Sequence, residues 1–133
     1  MSRGQSLVEL AVCAPLVMML ALGTVATVEV VDARAGLEAA TQAAADDAAG
    51  APDPVSAERT AQARFAAVIA AYPVRSAVLR LTLGSFGRAD EVAVTSSGRV
   101  DLLWPALGAV GGLTLESRVT IPLEAWRSHM PQP

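Results

Sequence analysis

Residues 10–28 read LAVCAPLVMMLALGTVATV, nineteen residues without a charged side chain. A helix of this length rises about 28 Å, close to the roughly 30 Å thickness of a bilayer's hydrocarbon core. Pro15 would break the interior of a soluble helix, but membrane helices tolerate proline where neighbours satisfy the freed carbonyl. The run therefore predicts a membrane-inserting helix. A buried core helix is the weaker alternative, because a chain of 133 residues has little left to cover it.

A carboxylate stands at the start of this run, at Glu9. Moving a carboxylate from water into a bilayer costs up to a few kcal/mol of free energy. A carboxylate at this position is therefore expected to have a function. Secretory signal peptides usually carry no acid there, which weakens the alternative of a signal peptide cleaved near Ala35.

The orientation of the helix in the membrane is predicted from the basic residues on its two sides. Arg3 precedes the run and Arg34 follows it, so basic residues are nearly balanced. The short N-terminus favours a cytoplasmic N-terminus with the remaining chain outside.

The N-terminal sequence around this acid resembles a known family. The stretch Arg3-Gly4-Gln5-Ser6-Leu7-Val8-Glu9-Leu10, followed by an apolar run with Ala14-Pro15-Leu16-Val17, is similar to the N-terminus of TadE-like proteins. These are minor pilins or pseudopilins of the tight-adherence subclass of type IV pilus assembly systems. The resemblance implies that a prepilin peptidase cuts after Gly4, so that Gln5 becomes the new N-terminus and Glu9 the fifth mature residue.

The resemblance also implies partners and a location. The partners are other pilin or pseudopilin subunits, the prepilin peptidase, the membrane platform for pilus assembly and the lipid bilayer. The chain would lie in the inner (cytoplasmic) membrane as a single-pass protein that either enters an extracellular pilus or primes its assembly. The task of the pilus, whether adhesion, DNA uptake or secretion, stays open. Major pilins of this subclass usually have tyrosine after the glutamate, where this chain has Leu10. That departure favours a minor subunit.

The proposed cleavage has a physical logic of its own. Cutting after Gly4 leaves an α-ammonium on Gln5, one helical turn from Glu9. Positions i and i+4 are neighbours on a helix, so the amine and the carboxylate offset each other at the membrane edge. In a filament, the carboxylate could instead pair with the amine of an adjacent subunit and fix the axial register.

Beyond residue 28 the helical pattern continues but becomes amphipathic. An alanine-rich apolar stripe recurs at steps of three and four residues: Val30, Ala33, Leu37, Ala40 and Ala44. The helix should run to about Ala49, where Gly50-Ala51-Pro52-Asp53-Pro54 stops it. Asp53 then caps a second helix with Pro54 in its first position. The apolar stripe of that helix is Ala61, Phe65, Val68, Ile69 and Tyr72, and Pro73 ends it.

Three strands are predicted after the second helix, because apolar residues alternate with polar ones. Leu79, Leu81 and Leu83 share one face of the first strand, and Val92 and Val94 one face of the second, which resumes after Gly98. The inward face of the third strand is Leu113, Leu115, Val119, Ile121 and Leu123. The resulting fold class is α+β: two helices that cover one face of a three-stranded antiparallel meander.

The expected organisation has four parts. Residues 1–4 are a prepilin-type leader, 5–28 a transmembrane and assembly helix, 29–50 its amphipathic extension, and 51–133 an exported α+β domain with a frayed C-terminal tail. Residues 104–112 are expected to form a loop, where Trp104 and Pro105 are candidate partner contacts or a tryptophan tucked against the core.

Composition argues against several other functions. Ten basic and thirteen acidic residues give a net charge of −3, with the arginines scattered singly, so nucleic-acid binding is not expected. The single histidine, His129, lies near the C-terminus, and Asp46 and Asp47 face different directions on a helix. We expect no catalytic residues, no cofactor and no metal site. Cys13 is a small apolar residue of the membrane run.

Two rivals remain open at this stage. One is a single-pass anchored binding or adaptor domain that no prepilin peptidase processes. The other is a secreted domain released near Ala35.

Overall fold

The computed structural model describes residues 2–84, 91–104 and 109–123. Along the chain these residues form helix α1 (Ser2–Gly50), helix α2 (Pro54–Ile69) and strands β1 (Arg75–Leu83), β2 (Glu91–Trp104) and β3 (Ala109–Pro122). The α+β class is therefore confirmed. Helix α1 has 49 residues, a length of about 73 Å at about 1.5 Å per residue.

Helix α1 has an uncovered half and a packed half. From Arg3 to Asp32 nearly every residue is exposed. From Ala33 onward the predicted stripe is buried, and Leu37 is 1% exposed. Val30, the first residue of that stripe, is only half-buried. The small side chains of Ala40, Ala44 and Ala48 are fully buried and let neighbouring elements approach closely.

Helix α2 begins as its sequence predicts. The Asp53 carboxylate accepts hydrogen bonds from the backbone N–H groups of Val55 (3.0 Å) and Ser56 (2.9 Å), and Pro54 takes the first helical position. The prediction for its end was wrong, because the helix stops at Ile69 and Tyr72 lies outside it. A residue before proline is disfavoured in the α conformation, so the chain leaves the helix before Pro73.

The strands form an antiparallel sheet in the order β1-β2-β3, as predicted for a meander. Strand β2 continues through Gly98, where Val74 packs against the glycine. The predicted loop over residues 104–112 is shorter than expected, because β3 already begins at Ala109. Gly111 and Gly112 pair with Leu102 and Asp101 of β2, and the Arg99 side chain lies across Gly112.

Strand β1 pairs with only part of β2. A bulge lies between Arg75 and Val78, where Ser76 has a positive φ of 53°. Arg75, the first residue of β1, pairs with Arg99. The later residues of β2 pair only with β3, so the β2–β3 hairpin extends past β1 as a two-stranded ribbon.

The core lies between the helices and one face of the sheet. It joins Leu37 of α1 and Phe65 of α2 to Val92 and Val94 of β2. Of the predicted inward residues of β3, Leu115, Val119, Ile121 and Leu123 join this core, whereas Leu113 is 41% exposed. The helices therefore cover the face that alternation predicted, except at the ribbon end.

Candidate assembly site on the N-terminal helix

The three residues assigned to processing and assembly lie in the first turns of α1. Gly4, Gln5 and Glu9 are all exposed. Gln5 and Glu9 are four residues apart in a continuous helix, about 6 Å along its axis and on the same side. Within the described part of the chain, a Cβ placed on Gly4 would meet no atom within 4 Å. The fold therefore leaves this segment accessible.

The apolar run that follows is uncovered. The eighteen most apolar consecutive residues have a mean hydropathy of 2.1, and none of them is buried. Large side chains such as Leu10 (66%) and Met18 (70%) are exposed along it. A soluble protein rarely leaves so long an apolar surface open, so this helix is a candidate membrane span. Cys13 is exposed within it.

Polar groups inside this run are satisfied within the helix itself. The hydroxyl of Thr24 donates to the carbonyl of Leu20 (2.9 Å), and that of Thr27 donates to the carbonyl of Gly23 (2.8 Å). Helix α1 also continues unbroken through Pro15. Both features suit a helix in lipid, where water is absent and hydroxyl groups need partners.

Charges return where α1 leaves the apolar run. Glu29 and Asp32 are exposed, and Arg34 pairs with Glu38 at 3.0 Å. Side chains of Arg34 and Glu38 remain largely in solvent, so the pair contributes little to stability. This mixed, polar segment marks the end of the candidate span.

The other predicted residues do not join the site at the helix N-terminus. Trp104 is the last residue of β2 and pairs with Ala109, while Pro105 and His129 lie outside the described residues. Asp46 accepts a hydrogen bond from Gln42 (3.0 Å) and is exposed, as is Asp47. The partner-contact role of Trp104 and Pro105 therefore stays a prediction.

Sequence reasoning missed one neighbour of the span. Leu102, near the end of β2, lines a groove together with Met19, Gly23 and Ala26 of α1. Leu102 was expected in the second strand, but strand alternation gives no signal for which helix residues lie beside it.

These features define a class of protein, in which a long N-terminal helix with a candidate membrane span carries a small α+β domain. Residues 4–46, about a third of the chain, match the family model of the TadE-like protein, and this confirms the resemblance in the segment from Gly4 through Glu9 and the apolar run. The match indicates a protein associated with tight-adherence pili. Searches among curated proteins and among solved structures gave no match.

Proposed function

We propose that this chain is a TadE-like minor pilin or pseudopilin with a structural, non-enzymatic role in tight-adherence pilus biogenesis. A prepilin peptidase trims it after Gly4, and α1 then holds it in the inner membrane with the N-terminus on the cytoplasmic side. The exported domain presents surfaces to other subunits and to the assembly platform. The observation that carries this proposal is one acid, Glu9, one turn from Gln5 at the mouth of an uncovered apolar helix.

Trimming would create the charge pair that the acid requires. The new α-ammonium of Gln5 would lie on the same helix face as the Glu9 carboxylate, about one turn away. Opposite charges at that distance reduce the cost of holding the carboxylate near lipid. In a filament, the same carboxylate meets the amine of a neighbouring subunit and sets the axial register.

The uncovered half of α1 supports assembly as well as anchoring. Its exposed large side chains find apolar surroundings either in lipid or among the helices of other subunits. The family match spans this half and continues into the packed half as far as residue 46. A subunit that moves from bilayer to fibre therefore keeps its apolar surface covered in both states.

The N-terminal sequence of the mature protein from its native host tests the processing step. A start at Gln5 supports the proposal. An intact Met1 or Ser2 would indicate an anchored adaptor domain instead, and a start near Gly36 a secreted domain.

Substitution at the cleavage site sharpens this test. Gly4→Leu should block trimming, because prepilin peptidases cut after glycine, while the fold is unaffected at this open position. Gly50→Leu is the matched control, since a Cβ at Gly50 also meets no described atom within 4 Å. Normal trimming of Gly4→Leu would refute the assigned site.

Substitution of the acid tests the assembly step. Glu9→Ala should be trimmed normally but fail to support pilus formation, because the amine loses its partner. The control is Glu29→Ala, an exposed glutamate on the same helix beyond the apolar run. Normal pilus formation by Glu9→Ala would remove the proposed role of this carboxylate.

A further inference from the structure

The ribbon end of the β2–β3 hairpin lies beside the candidate membrane span. Leu102 shares a groove with Met19, Gly23 and Ala26 of α1, all within the uncharged run of residues 10–28. If α1 spans a bilayer, as the proposed function requires, this end of the hairpin is held at the membrane. We therefore ask what covers the surface of this end of the hairpin.

Helix α1 and strand β2 have charged residues at the same height, beside each other, at the edge of their uncharged segments. Glu29 is the first charged residue of α1 after the apolar run, and Asp101 is the last one of β2 before the hairpin turns. Both line a second groove, which also includes Arg75. Beyond that level, residues 10–28 of α1 and 102–104 of β2 carry no charged side chain.

The sequence of the ribbon end is unusual for a hairpin in water. Residues 102–113 read LLWPALGAVGGL, twelve residues without a charged side chain. Turns in water are usually rich in Gly, Pro, Asn, Asp and Ser. This stretch contains glycine and proline but none of the three polar residues. An isolated two-stranded ribbon is also marginally stable in water, and this one extends beyond the pairing with β1. Both features favour an apolar surface against it.

We propose that this end of the hairpin, residues 102–104 and 109–113, inserts into the interfacial layer of the leaflet that faces the domain. The inference rests on the membrane placement of α1 in the proposed function. Trp104 lies three positions after Asp101, about 10 Å at the rise of a strand, which matches the roughly 5–10 Å depth of interfacial insertion. Tryptophan is enriched at this depth of membrane proteins.

Two arginines at the rim fit the lipid headgroups. Arg75 and Arg99 flank Asp101, with Nε atoms 3.5 and 3.6 Å from its carboxylate oxygens, and their side chains are 79% and 60% exposed. Glu29 lines the same groove, so these four side chains carry no net charge, but both guanidinium groups remain open to solvent. An exposed guanidinium group can bind the phosphate oxygens of a lipid headgroup through two parallel hydrogen bonds. The domain therefore has a second membrane contact besides α1.

Tryptophan fluorescence tests the proposal with the full chain in phosphatidylcholine–phosphatidylglycerol vesicles. Trp126→Phe leaves Trp104 as the single tryptophan, because the chain has two. Its emission should be blue-shifted, quenched by lipids with a nitroxide near the headgroup, and several-fold less accessible to aqueous acrylamide than a control tryptophan. The control is Trp104→Phe/Trp126→Phe/Thr82→Trp, which reports from an exposed site on the opposite end of the sheet.

The single cysteine separates this inference from the proposed function. An environment-sensitive dye on Cys13 reports whether α1 is in lipid. If Cys13 is in lipid and Trp104 is open to acrylamide, the insertion of the hairpin is refuted but the membrane span of α1 is supported. If Cys13 is in water, the insertion of the hairpin and the membrane span are both refuted. Protection of Trp104 without lipid quenching would mean a protein contact, and would overturn the proposal too. Leu102→Asp should abolish the lipid quenching while circular dichroism stays unchanged.

Discussion

The hydroxyl groups of Thr41 on α1 and Ser96 on β2 lie 2.5 Å apart, although 55 residues separate them in the chain. Both side chains are buried. The Thr41 hydroxyl also lies 2.6 Å from the carbonyl of Leu37, to which it donates, so its oxygen accepts the proton of Ser96. This bond fixes one position of the helix against one position of the sheet. Its effect is measurable by a double-mutant cycle.

Thr41→Val should destabilise the domain by about 1 to 3 kcal/mol, because it leaves the buried Ser96 hydroxyl without its partner. Adding Ser96→Ala should recover much of that loss, since no polar group is then left unpaired. Urea unfolding of the full chain in detergent micelles, followed by circular dichroism, measures both changes. Simple additivity of the two substitutions would show that the hydroxyl groups do not interact.

Gly36→Ala should also destabilise the domain, against the usual preference of helices for alanine. A Cβ on Gly36 would overlap the ring of Tyr72, whose atoms near the backbone cannot move easily. We expect a loss of about 1 to 3 kcal/mol, as for other overpacked sites. Gly50→Ala, in open space on the same helix, should be neutral or slightly stabilising. Tyr72→Gly should relieve the clash, whereas Tyr72→Ala should relieve it only in part, because the Cβ at position 72 would remain 2.7 Å from the added Cβ. Equal losses at both glycines would contradict this account.

A pair of valines tests which face of the sheet is the core. Val94→Ala removes two buried methyl groups and should cost at least about 1.6 kcal/mol, at about 0.8 for each. Val78, on the outer face of β1, is 49% exposed, so Val78→Ala should change the free energy of unfolding by less than about 0.5 kcal/mol. A larger effect at Val78 would mean that another element covers the outer face.

Acid should weaken the start of α2. Hydrogen bonds from the side chain and backbone of Ser56 lower the pKa of Asp53 from its ordinary value. Because the folded-state pKa is the lower one, the cap contributes fully above the unfolded pKa of about 3.9 and is lost as pH falls through the folded value. Asp53→Asn keeps a capping oxygen, but its thermal unfolding should not show this dependence on pH. Its difference from the native chain should shrink below about pH 4, whereas Asp53→Ala should melt a few degrees lower at neutral pH.

Local patterns in the sequence determined the main elements. Gly50-Ala51-Pro52 ended α1 because glycine and proline interrupt helices, and Asp53-Pro54 started α2 because a carboxylate caps the free N–H groups. Alternation of apolar residues predicted the strands and their inward faces. The spacing of Gln5 and Glu9 is equally local, so the candidate assembly site was visible before the fold.

Only the tertiary structure decided which distant residues meet. The contacts of Thr41 with Ser96 and of Gly36 with Tyr72 depend on how α1 lies on the sheet and on the turn after α2, and no periodicity encodes that placement. The same holds for the groove that Leu102 lines together with residues of α1. Periodicity states which face of an element is apolar, because side-chain directions repeat with the local backbone. The partner of that face is set by packing among segments far apart in the chain, which minimises exposed apolar surface for all of them together.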